Sequence, residues 1–273
     1  SKYDPFSMSR QIDYVLNAGV NGLVVCGKAG EFEGLNFNEI EQVLSHVIEY
    51  VNGRVPVGLG AISVDIDDGL KVAKIASRQS ANFAMVKKKS YMDLSPFFFK
   101  MADEIPVMIY DMTDNGSLNM QNDVLPIVHS CDRIVAMKVS GDVGSFDILR
   151  KEELSIPCLC GSDMYTLITY NSGSDGVVAG SAAVMPAYEV MLHKLVKEEK
   201  WEEARILFLE TMLPMIAYAG QLLPYNYSAM KHILKWKGII DHVFVRPPYR
   251  AAYDWHLKEV KILAEKLGII DSV

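Results

Sequence analysis

Lys138 closes an otherwise apolar run, Arg133-Ile134-Val135-Ala136-Met137-Lys138, and the loop Val139-Ser140-Gly141-Asp142 follows at once. A charged side chain at the end of a buried parallel strand is costly to desolvate unless it is paired or used chemically. Burial disfavours the ammonium and lowers the amine pKa, the condition under which a lysine attacks a carbonyl near neutral pH and forms a Schiff base. Tyr110 closes the run Ile105-Pro106-Val107-Met108-Ile109-Tyr110 in the same way, so the two side chains are expected to converge at one end of a sheet. A phenol there relays protons during imine formation and carbon–carbon cleavage. The plainer alternatives are a core tyrosine with a satisfied hydroxyl and a structural ion pair at Lys138.

Other strand ends offer binding groups. Gly27-Lys28-Ala29-Gly30-Glu31-Phe32 is a glycine-flanked turn whose backbone N–H groups could hold a carboxylate, or simply a strand-to-helix turn that needs glycine. Gly161-Ser162-Asp163 offers hydrogen bonds to a polyhydroxy substrate, with Asp163 alternatively capping the next helix. Lys87-Lys88-Lys89 reads as a solvated loop. The sharper reading is that Lys87 or Lys28 supplies positive charge for an acidic substrate and helps depress Lys138. Phe97-Phe98-Phe99 reads as helix packing, and His46 and His129, in helical patterns, receive no role.

These residues need a scaffold that brings many strand ends together. Short β-rich runs recur at 22–26, 55–59, 83–86, 105–110, 134–138, 156–160 and 176–179. Between them lie helical patterns, such as 39–50, where Ile40, Val43, Leu44, Val47 and Ile48 share one face. Spacings of about 20 to 35 residues suit βα units, and continuous apolar strands imply a parallel sheet covered on both faces. Seven strands are one short of a (β/α)8 TIM barrel, and the helix expected over Ser7–Ala18 has no strand before it. The first barrel strand is therefore expected to be absent from the chain as given. Residues 1–200 form the barrel in this reading, and 201–273 a C-terminal helical region with helices over Trp201–Ala217, Tyr227–Lys235 and Ala252–Leu267.

The chain has 273 residues, half of them hydrophobic, enough for a large core. Its net charge of -7 gives no basic field for nucleic acid or anionic lipid. Four cysteines in apolar runs, Cys26, Cys131, Cys158 and Cys160, lack zinc-ligand spacing and read as buried free thiols in a reducing cytosol. No apolar stretch is long enough to span a bilayer, and the opening residues carry no signal-peptide pattern. A cytoplasmic protein without membrane partners is expected.

The motifs together resemble the dihydrodipicolinate synthase and N-acetylneuraminate lyase family of class I aldolases. The resemblance runs from Ile12 to about Pro248 and rests on residues 22–31, 105–111, 134–142 and 176–186. It implies that Lys138 forms the imine with a 2-keto acid and that Tyr110 is the proton-shuttling phenol. It also implies substrate contacts from Lys28, Ala29, Gly30, Ser140, Gly161, Ser162, Asp163 and Val178, a homotetramer or homodimer, and no metal or organic cofactor. Three departures stand out. Lys28 and Ala29 replace two hydroxyl residues of the family's turn, Asp111-Met112-Thr113-Asp114-Asn115-Gly116 lacks the arginine of the synthases, and a proline-tyrosine-tyrosine element is missing near Lys87-Lys88-Lys89-Ser90-Tyr91. The expected function is a Schiff-base lyase joining or splitting pyruvate and an aldehyde, acting on a 2-keto-3-deoxy sugar acid. The alternatives are a keto-deoxy acid dehydratase using the same imine, dihydrodipicolinate synthase, disfavoured by the departures, and a non-catalytic keto-acid or sugar-binding barrel.

Overall fold

The computed structural model describes residues 3–88, 94–111, 120–141, 143–152, 154–219 and 226–271. Helix α1 (Pro5–Asn17) starts where local chemistry directs it: the Asp4 carboxylate accepts hydrogen bonds from the Phe6 and Ser7 N–H groups, and Pro5 takes the first turn. Strand β1 (Leu23–Val25) is followed by α2 (Phe37–Val51), whose capping box pairs the Asn36 side chain with the Glu39 N–H and the Glu39 carboxylate with the Asn36 N–H. Then come β2 (Val57–Val64), α3 (Ile66–Arg78), β3 (Phe83–Lys88), α4 (Leu94–Glu104), β4 (Val107–Asp111), α5 (Leu125–Ser130) and β5 (Ile134–Val139). The series continues with α6 (Gly144–Lys151), β6 (Cys158–Cys160), α7 (Thr166–Asn171) and β7 (Gly176–Val177).

Every neighbouring strand pair is parallel, and the order in the sheet is the order in the chain, β1 to β7. Right-handed crossovers in a sequential sheet put all the helices on one face, so the sheet curls and the other face lines the inside. A doubly wound sheet would instead reverse its strand order part-way. The architecture is thus that of a (β/α)8 barrel, with seven strands among the described residues. Inside and outside are both dry: β4 is buried along its whole length, and Phe97 and Phe98 are buried on α4. Parallel partners in register share a face. Met85 pairs with Met108, Tyr110 with Lys138, and Lys138 with Leu159, so these residues occupy one face.

Two compact units are present, Gly22–Val178 and residues 1–21 with 179–273. The second contains α1, α8 (Pro186–Lys197), α9 (Trp201–Leu207), α10 (Leu213–Ala219), α11 (Asn226–Trp236) and α12 (Asp254–Lys266). Within it, the Tyr14 hydroxyl donates to the Val184 carbonyl at 2.8 Å and Arg10 pairs with Asp241 at 2.8 Å.

The structure corrects several expectations. The single helix expected over Trp201–Ala217 is interrupted by a π-helical turn, Phe208–Met212. The second strand begins later and runs further than 55–59, to Val64, and Val64 pairs with Lys88. That pairing draws Lys87 and Lys88 into β3, where the sequence suggests a solvated loop, and Lys87 is buried. Cys131 is only half-buried, because it lies in the connection ahead of β5 rather than on a strand, whereas Cys26, Cys158 and Cys160 are buried free thiols. Among the described residues, no helix is long and apolar enough to cross a membrane.

Candidate active site

Lys138 and Tyr110 are register partners on β5 and β4, and their side chains meet: the Lys138 Nζ lies 4.2 Å from the centroid of the Tyr110 ring. Both residues are buried, Lys138 at 8% exposure and Tyr110 at 5%. Burial pushes the Lys138 amine down to about 8. Asp163 and Cys160 pull it up, and the charge of Lys28 pushes it down further. Among the described residues no carboxylate closes an ion pair with this amine. The structural ion pair considered for Lys138 is therefore not what the geometry shows.

The path of the lysine stem is set by β6. A Cβ built on Gly161 would stand 2.5 Å from Lys138 Cε, 2.7 Å from Lys138 Cγ and 2.1 Å from Ser140 Oγ. Only glycine at 161 leaves that space. The strand ends stay laddered: Ser140 N–H donates to Asp111 O at 2.9 Å, Gly161 N–H to Val139 O at 2.8 Å, and Val178 N–H to Cys160 O at 2.8 Å. The Ser140 Oγ is buried with no hydrogen-bond partner among the described residues. A hydroxyl so placed beside the lysine is open to a ligand atom.

Asp163 is buried in a 3-10 turn, Asp163–Tyr165, and Ser162 holds the capping position ahead of it without a side-chain cap bond. Asp163 is thus no N-cap, and its charge is felt by Lys138. The turn after β1 is bracketed by two left-handed residues, Cys26 (φ 52°) and Glu31 (φ 58°). It closes through Glu31 N–H to Lys28 O (3.1 Å) and Phe32 N–H to Gly27 O (3.3 Å). Ala29 and Gly30 are exposed and Lys28 is half-buried. A Cβ on Gly30 would fall 2.9 Å from the Cys26 nitrogen, so glycine is required there.

A narrow crevice lies beside these strand ends, lined in part by Ser140, Ser162, Phe146 and Thr169, with neither Lys138 nor Tyr110 in its wall. It has no room for a small molecule. Among the described residues no group of three His, Cys, Asp or Glu side chains is placed to hold a metal ion. Met112–Gly116, Asp142 and Lys89–Tyr91 lie outside the described residues.

A model of the dihydrodipicolinate synthetase family matches residues 2–267. The chain belongs to that family. Its members are class I aldolases and lyases that work through a Schiff base, and this protein is an enzyme of that class. Among relatives, the 4-hydroxy-tetrahydrodipicolinate synthase of Methanoculleus marisnigri is 30% identical over 214 residues, 74% of this chain and 73% of its own. The Escherichia coli protein named "Probable 2-dehydro-3-deoxy-D-pentonate aldolase YjhH" is 25% identical across 98% of this chain and 92% of its own. In fold, the chain matches YagE, a prophage protein of Escherichia coli K12 crystallised with pyruvate, with a TM-score of 0.90 at 23% identity, covering 98% of this chain and 94% of that one. It matches N-acetylneuraminate lyase from Fusobacterium nucleatum with a TM-score of 0.87 at 20% identity, covering 97% and 92%. The barrel expected from the sequence is the barrel of this family.

For Lys87 the sequence leaves a solvated loop and a charge near Lys138 as alternatives, and the structure removes the loop. Lys87 sits two residues beyond Met85 and therefore on the face that carries Tyr110 and Lys138. Strict alternation counted on from Phe83 and Met85 would have placed it there.

Proposed function

We propose that the enzyme cleaves or forms a carbon–carbon bond between pyruvate and an aldehyde, with a 2-keto-3-deoxy sugar acid as the joined species. The observation that carries this reading is the Lys138 amine, buried at a strand end, lowered to about 8 and seated against the Tyr110 ring. An amine with that pKa is neutral in roughly one molecule in ten at pH 7, against about one in three thousand at the ordinary lysine value.

In this mechanism the neutral Lys138 amine attacks the ketone, one proton is taken up from solvent and water leaves, forming a protonated imine. The imine withdraws the electron pair of the adjacent carbon–carbon bond as that bond breaks. Tyr110 takes the proton from the hydroxyl on the departing carbon, which leaves as the aldehyde. The enamine left on Lys138 is reprotonated and hydrolysed to pyruvate. Ser140, Gly161, Ser162, Asp163 and Val178 line the substrate's path, and the turn at Lys28, Ala29 and Gly30 receives the keto acid's carboxylate. The likeness to a pentonate aldolase across nearly the whole chain supports the sugar-acid reading, and the missing arginine and hydroxyl residues weigh against the synthase one. We place the enzyme in the cytoplasm, where its buried free thiols stay reduced, and as a homotetramer or homodimer.

The test is borohydride trapping with pyruvate and a panel of 2-keto-3-deoxy sugar acids, with products identified. A stable adduct on Lys138, absent from Lys138→Ala, is the expected result. An adduct on Lys87 or Lys28, or none with any keto acid, refutes the reading, the second outcome favouring a keto-acid-binding barrel.

A further inference from the structure

Tyr110 has a lysine in the adjoining strand on each side. Val86 pairs with Ile109 on β3 and β4, so the next step along the parallel ladder sets Lys87 beside Tyr110, as Tyr110 is set beside Lys138. Neighbouring strands lie about 4.8 Å apart, and successive partners keep to one face, so Lys87, Tyr110 and Lys138 form a row across three strands. Lys87 is buried at 5% exposure, and nothing in the mechanism above uses it. The groups around the same strand ends are Lys138 on β5, Cys26, Lys28 and Glu31 in the turn after β1, and Asp163 beyond β6. Asp111 and Cys160 are register partners of Val139 and its equivalents on the opposite face, and β2 contributes no titratable group.

We propose that Lys87 is a positioning residue for Tyr110, supplying from the adjoining strand the positive charge that favours the ionised, proton-accepting form of the phenol. A phenol is a weak base near neutral pH until a cation stands close to it. Lys138 carries that charge only until it is deprotonated to attack the ketone, whereas Lys87 is not consumed in the reaction. Lys87 is the other cation in the row. Its purpose rests on the lyase reading, but its effect on Tyr110 is measurable without any substrate.

The experiment is a tyrosinate absorbance titration of the wild type, Lys87→Met and Lys87→Arg, each compared with the same protein carrying Tyr110→Phe, so that only the Tyr110 signal remains. Lys87→Met is expected to raise the Tyr110 midpoint by about one pH unit or more, and Lys87→Arg to hold it near the wild-type value. In the aldol-cleavage assay Lys87→Met is expected to lower kcat about tenfold at pH 7, with KM little changed and activity recovering as pH rises. Lys87→Gln repeats both measurements in case the methionine variant fails to fold. A midpoint that does not move when the charge is removed overturns the proposal, as does a kcat loss that is equal at every pH or persists in Lys87→Arg. Failure of the wild type to trap any keto acid at Lys138 would sink the lyase reading instead, and leave the titration result standing.

Discussion

Replacing Lys138 by methionine is expected to abolish imine formation and to stabilise the fold. The amine's pKa is about 8 in the folded protein, against 10.5 for the unperturbed group. A difference of about 2.5 units corresponds to roughly 3 kcal/mol. The sign follows from proton counting. Between about pH 8 and 10.5 the unfolded chain binds the proton and the folded one does not, so stability rises with pH through that window. Below pH 8 both states hold the proton, and the whole desolvation cost weighs against folding. Methionine fills a similar volume with no charge, while the contact with the Tyr110 ring is weakened, an offset of about 0.5–2 kcal/mol. The net gain at pH 7 is therefore about 1–3 kcal/mol, shrinking to near zero or below by pH 10.5. Urea denaturation of both proteins at pH 7 and pH 10.5 measures it. A wild type as stable as the variant at pH 7, or a difference that ignores pH, would show that the amine is not held at a desolvation cost and would remove the physical basis of its reactivity.

Three further outcomes follow from the same geometry. Gly161→Ala puts a methyl group 2.5 Å from Lys138 Cε and 2.1 Å from Ser140 Oγ; the trapping rate is expected to fall steeply and stability by about 1–3 kcal/mol, and unchanged trapping would show that the lysine stem does not depend on that gap. The rate of imine formation with pyruvate, followed by trapping across pH, is expected to rise through about pH 8 and then level, with the midpoint displaced upward in Lys28→Ala, since the Lys28 charge helps lower the amine; a midpoint near the ordinary lysine value would contradict the burial argument. Tyr110→Phe is expected to slow turnover by roughly two orders of magnitude while trapping persists, and unchanged turnover would take the phenol out of the mechanism.

The strands, their parallel sense and the helical layer were legible in the linear chain, because apolar runs of strand length alternating with amphipathic helices leave few arrangements that bury both sheet faces. Lys138 and Tyr110 were legible too, since each is a polar residue ending an apolar run, and period-2 geometry aims such residues at a shared end of the sheet. The loop assigned to Lys87 was not, because the extent of β3 depends on how far β2 runs, and β2 continues to Val64, where it pairs with Lys88. No local propensity reports the length of a partner strand.

What the sequence alone determined is therefore the class of scaffold and the two polar strand-end side chains, Lys138 and Tyr110, that the proposed chemistry uses. Tertiary structure alone decided that a glycine just after β6 makes room for the lysine stem, that Asp163 and Lys28 act on its amine from separate loops, and that a second lysine is buried on the strand next to the phenol's. The physical reason is range. Burial, register and charge at a strand end are set by residues about 20 to 110 positions away, which the curled parallel sheet gathers at the same end.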